Sequence, residues 1–141
     1  MEVNAWQNAG DFATGRAAYA EAENHYKKAL KVLENIPEES ERLHMELPLQ
    51  LSLANALKVT TGFGSDQQLA AYSRAKEISE KLGDSAQFLI ILLGLWGTIN
   101  SRSDLATSRE LSAEIVRISE RDQNRMMLTW AYETQAIENY G

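Results

Sequence analysis

Imidazole can ligate a metal or move a proton near neutral pH, so the two histidines, His25 and His44, are the first residues to test for chemistry. They fall on different predicted helices, and neither sits in a His-Glu-x-x-His or comparable metal-binding spacing. Both read as surface or repeat-packing residues. Gly62-Phe63-Gly64 has the flexibility of a phosphate-cradling loop, but no strand precedes it and no Gly-Lys-Ser/Thr follows, so it reads as an interhelix turn. Glu38, Glu39, Glu41 and Glu46 gather at the start of the third predicted helix, where carboxylates complement the helix dipole. Hydroxyls such as Ser52 and Ser112 have no nucleophile elbow around them. With no cysteine in the chain, disulfides, thiolate metal sites and cysteine nucleophiles are absent. No catalytic, cofactor-binding or metal-binding residue is therefore expected, and the chain reads as something other than an enzyme.

Composition points to the scaffold. The chain has 141 residues, 44% hydrophobic and 24% charged, with eight glycines and two prolines, which suits one globular helical unit. The net charge is -6, and the densest basic stretch is Lys27-Lys28 with Lys31 one turn on, too little for a nucleic-acid footprint. Residues 1–10 lack the pattern of a secretory signal. The longest apolar run, Phe88 to Trp96, has nine residues, whereas a membrane helix needs roughly 20. A cytoplasmic protein binding neither membrane nor nucleic acid is expected.

Helical periodicity then organises the whole chain. Ala22, Tyr26, Ala29, Leu30 and Leu33 lie on one helical face, and Trp6, Ala9, Gly10 and Ala13 make a similar stripe upstream. That first stripe ends near Gly15, where a left-handed glycine is expected. Leu47 to Val59, a turn over Thr60 to Asp66, and a helix carrying Leu69, Tyr72, Ala75, Ile78 and Leu82 repeat the layout, with Ser65 and Gln68 spaced as a capping box. Ala86 to Ile99 and Leu105 to Ile118 form a third pair, and Gln123 to Tyr140 a last helix. Phe88 to Trp96, apolar nearly all round, should pack on both sides. Ala29 and Ala75 lie 46 residues apart and Ala75 and Ile115 lie 40 apart, a spacing that indicates a helical solenoid. The expected fold is all-α, an α-solenoid of antiparallel helix pairs with about seven helices. Its repeats cover 2–36, 40–82 and 85–121, with a partial repeat at 123–140.

Trp6, Gly10, Tyr19, Ala22, Tyr26 and Ala29 carry a resemblance to the tetratricopeptide-repeat (TPR) family, whose spacings they reproduce. Tyr72 and Ala75 continue it in the second repeat, and Trp96 takes the glycine position of the third beside Gly10, Asn55 and Ala136. The resemblance implies a right-handed superhelix. The stretch from Glu46 to Asp122 is similar to the C-terminal repeats of bacterial multidomain signalling proteins, in which cyclase or kinase modules precede a STAND-type ATPase. It implies a piece of a longer regulatory protein whose chemistry lies in other domains.

The same resemblance projects a concave groove. Gln7, Asp11 and Thr14 would line its first wall, then Ser52, Ala56 and Val59, then Leu93, Gly97 and Asn100, then Trp130, Glu133 and Ile137. Gln7 and Asp11 stand where a carboxylate clamp would need cations, which argues against that ligand. The expected partner is a peptide or amphipathic helix, from another protein or from the same one, with no cofactor. The alternative is a structural spacer that forms a homodimer through apolar surface around Trp130, Tyr132 and Ile137.

Overall fold

The computed structural model describes residues 2–140, without the side chains of Thr134 and residues 137–140. Seven helices follow one another: α1 (Val3–Gly15), α2 (Tyr19–Leu33), α3 (Glu39–Thr60), α4 (Asp66–Leu82), α5 (Ser85–Ser101), α6 (Leu105–Arg121) and α7 (Arg125–Tyr140). There is no strand among the described residues. Each helix packs chiefly on its neighbours in sequence, with a small further contact between α1 and α3. The result is an all-α repeat arrangement in which consecutive helices cover one another's apolar stripes. No helix among the described residues is long and apolar enough to cross a membrane.

Short polar side chains mark most of the starts. Ser65, Asp84, Asp104 and Asn124 each accept from the backbone N–H three residues on, at 3.1–3.2 Å, filling a donor that the first helical turn leaves open. At α4 the capping box takes a variant form: the Gln68 side chain accepts from the N–H of Gly64, at 2.8 Å, one residue outside the cap. Gly83 closes α4 in the left-handed conformation, with φ at 79°. Gly15 departs from expectation. It is the last helical residue of α1, and the left-handed residue is Ala17, with φ at 58°. The glycine lies two positions before the residue that must reverse the chain.

The 40-residue spacing is visible in what is buried. Gln68, Ala71, Ala75, Ile78 and Ser79 of α4 correspond to Ser108, Leu111, Ile115, Ile118 and Ser119 of α6, and all ten are buried. Helix α5, without a charged residue, lies between them. Its Ile91 joins Leu43, Leu47, Ala75 and Ile78, while Leu89, Leu92, Leu95 and Ile99 pack with α6 and α7. The expectation of packing on both sides is met.

Helix α3 carries Pro48 in its interior, so the ring replaces an N–H and the His44 carbonyl loses its intrahelical donor. The helix nevertheless runs for 22 residues, held by Leu43, Leu47, Leu49, Leu53 and Leu57, all in the core.

Candidate functional site

A recess of about 470 Å³ opens where α1, α2 and α3 meet, lined by Asp11, Thr14, Tyr26, Leu51, Ser52 and Asn55 among others. Its base is the Tyr26 side chain, 1% exposed. The Tyr26 hydroxyl donates to Asp11 Oδ1 at 2.6 Å, and Thr14 Oγ1 lies 3.1 Å from the Tyr26 hydroxyl oxygen while donating to the Gly10 carbonyl at 3.0 Å. Burial, and then the Asp11 carboxylate that accepts its proton, push the Tyr26 phenol above its ordinary range. Tyr26 therefore stays a neutral donor and fixes Asp11 at the rim.

Gly10 makes this geometry available. A Cβ there would come within 2.5 Å of the Tyr26 ring, so only glycine lets α1 lie this close to α2. The projected equivalence of Gly10, Asn55, Trp96 and Ala136 does not hold as a set of close approaches. Asn55 is exposed and lines the recess, Ala136 is exposed, and Trp96 packs half-buried with the α5–α6 core. The residue that repeats the contact is Gly94, whose Cβ would come within 2.7 Å of the Tyr72 ring on the preceding helix. Gly94 was legible as a glycine in an apolar run, but nothing in the spacing singled it out over Trp96.

Of the projected groove residues, the structure brings Asp11, Thr14 and Ser52 together in this recess. Gln7 is half-buried on α1. Ala56 is a correction: it is fully enclosed in the α1–α3 core and lines no accessible wall. A change of one helical position exchanges core and surface on α3, and Asn55 is the exposed neighbour. On α5, Leu93 is half-buried against the core and Gly97 faces the Phe63 ring, while Ile90, 61% exposed, is the open apolar residue of that flank. Asn100 is half-buried, Val59 is exposed, and Trp130 and Glu133 are exposed on α7. The side chain of Ile137 lies outside the described residues.

Ala22, Tyr26, Ala29 and Ala75 are buried, with Trp6, Tyr19 and Tyr72 packed against the α1–α4 core. His25 stacks on Trp6 with ring centroids 5.5 Å apart, and Lys28 Nζ stands 4.7 Å from the same indole. His44 turns Nδ1 back to the Ser40 carbonyl at 2.7 Å. The acidic cluster divides: Glu38 caps α3, its side chain accepting from the Glu41 N–H, whereas Glu46 grips Arg74 of α4 with both carboxylate oxygens, at 2.8 and 3.0 Å. Arg74 was not among the residues that sequence spacing selected, because the pair spans two helices.

Comparison with protein families, with curated proteins and with solved structures finds no match to this chain.

Proposed function

We propose that this chain is a non-catalytic interaction or scaffold module of the TPR kind, holding a peptide or helix in the groove that begins at the Asp11–Tyr26 recess. The observation that carries the reading is the recess itself. It sets Asp11, Thr14, Ser52 and Asn55 around a buried phenol, mostly on α1 and α3, the first helices of pairs like the one in which α5 presents Ile90 and Leu93. Polar groups that fix register beside apolar residues that supply affinity are what a helix or peptide groove requires. The resemblance to bacterial cyclase, kinase and STAND-type ATPase proteins extends the reading: a cytoplasmic regulatory part of a larger signalling protein, whose ligand is a partner or another segment of that protein.

The test is selection of binders from a displayed random-peptide library, followed by affinity measurement on Ile90→Glu. Ile90 replaces Leu93 as the probe because Leu93 also packs in the core. Selected peptides should bind the wild type and lose at least tenfold in the variant; equal binding to both would remove the groove as the site.

A second reading is favoured by α7, where Met126, Trp130 and Tyr132 are all more than half exposed. A spacer that self-associates through this face would give a dimer in light scattering that Trp130→Glu dissolves. A monomer at every concentration would remove it.

A further inference from the structure

The flank of α5 opposite Ile90 forms the floor of a second groove, walled by α4 and α6. One half encloses about 470 Å³ and the other about 500 Å³, and they adjoin at Glu80 and Glu114, which line both. The groove follows α4 from Ser73 to Gly83, which at 1.5 Å per residue is roughly 15 Å, or three turns of helix. Leu95, Ile99, Leu111 and Ile118 line it, and they keep 5–8% exposure where their core neighbours Leu89, Leu92 and Ile115 keep none. The floor is buried core that keeps a small opening to the groove.

The rim of the first half is acidic. Glu77, Glu80, Glu110 and Glu114 face it, against a single cation, Lys76, which is already paired with Glu80 at 3.0 Å, whereas the other half carries Asp84 with Arg117 and Arg121, the latter paired with Asp122 at 3.0 Å. Glu110 and Glu114 stand one turn apart on α6, and neither has a hydrogen bond or ion pair among the described residues. A separate observation points the same way. Ser79, lining the other half and 1% exposed, has its hydroxyl enclosed without a partner, although buried polar groups are nearly always satisfied. The hydroxyl of Ser119, one repeat later, is also unpartnered but lies outside both halves.

The preceding groove, between α2 and α4, shows what a self-sufficient version looks like. There Arg74 crosses to Glu46, Gln50 Nε2 donates to the same carboxylate at 3.0 Å, and Arg42 lines the pocket beside them. One repeat on, the place of Arg74 belongs to Glu114, which forms no ion pair among the described residues although Arg117 lines the same half of the groove. A cross-helix pair has given way to an open carboxylate.

We propose that the α4–α6 groove is a second binding surface, distinct from the Asp11 recess, for an amphipathic helix of a partner protein. The helix lays its apolar face on Leu95, Ile99 and Leu111 and reaches Glu110 and Glu114 with Lys or Arg. Charge complementarity selects this occupant, because the apolar floor rewards an amphipathic helix and the unanswered carboxylates reward a basic one.

The experiment uses a fluorescent 15-residue helical peptide of Leu, Ala and Lys, with a Glu-for-Lys counterpart, read by anisotropy on the full chain. The Lys peptide should saturate, and the Glu peptide should bind at least tenfold more weakly. Glu110→Gln/Glu114→Gln should weaken the Lys peptide at least tenfold. Two controls should leave it unchanged: Glu39→Gln/Glu41→Gln, with the same charge change elsewhere, and Ile90→Glu on the opposite flank. No saturation, or an equal loss in the two double variants, would overturn the proposal. Loss in Ile90→Glu alone would return the peptide to the first groove.

Discussion

At the scale of single residues, two glycines of α1 make opposite demands. Gly10 has the Tyr26 ring where a Cβ would go, whereas Gly15 has nothing within 4 Å. Gly10→Ala should therefore cost about 1–3 kcal/mol by forcing the ring and the helix apart. Gly15→Ala should raise stability by about 0.5 kcal/mol, because alanine loses less backbone entropy. Urea unfolding of the two variants checks both signs. A complementary change concerns the turns. Ala17, Ser103 and Gln123 hold positive φ with a Cβ in place. At Ala17 and Gln123 the reversal is closed by similar pairs of bonds: Ala18 N–H to the Ala13 carbonyl at 2.8 Å with Ala17 N–H to Thr14, and Asn124 N–H to the Ser119 carbonyl at 3.0 Å with Gln123 N–H to Glu120. Relief of the left-handed strain outweighs the extra freedom glycine gives the unfolded chain, so Ala17→Gly should gain about 0.5–1 kcal/mol, visible as a higher Tm.

Among elements, the Glu46–Arg74 clasp joins α3 to α4, and acid should loosen it. Burial alone would raise the Glu46 pKa, but the Arg74 guanidinium and the Gln50 amide outweigh it and hold the carboxyl below its ordinary range. A lowered folded pKa means stabilisation that is complete above the unfolded value of about 4.3 and disappears as pH falls through the folded value. Arg74 keeps 37% of its side chain in water, so the clasp is worth about 1 kcal/mol at pH 7. Stability of the wild type and of Glu46→Gln, measured from pH 7 to pH 3, should differ by that amount down to about pH 5 and converge below pH 4. The clasp also shows what the sequence could and could not convey. Helix stripes, the Ser65 start and the 40-residue spacing are local or periodic, so they could be read directly. Which carboxylate meets which arginine depends on how two helices lie together, and neither Arg74 nor the Gly94–Tyr72 contact leaves a periodic trace. The recess was half legible: Asp11, Thr14 and Ser52 do line one recess, while Ala56 and Asn55 exchanged core and surface because a helix turns 100° per residue.

For the whole molecule, packing between sequence neighbours means that stability is built step by step along the chain. Helices covered on both sides should open last. Native-state hydrogen exchange is expected to show the slowest amides in α4 and α5, with those of α7 exchanging at least tenfold faster; uniform protection would mean that the stack opens as a single unit. The charge-free α5 gives this order a further meaning during synthesis. Its segment is synthesised after α4 and before α6, so a truncated chain released in the Arg102–Asp104 turn displays Leu92, Leu95 and Ile99 without the α6 and α7 residues that pack on them. Such a chain would present the surface that chaperones and degradation machinery recognise, whereas one released after Arg121 has the α6 cover and lacks only Met127 and Ala131 of α7 from the same cluster. The sixth helix therefore sets the length past which a truncated product hides most of its hydrophobic centre and is expected to be tolerated rather than cleared.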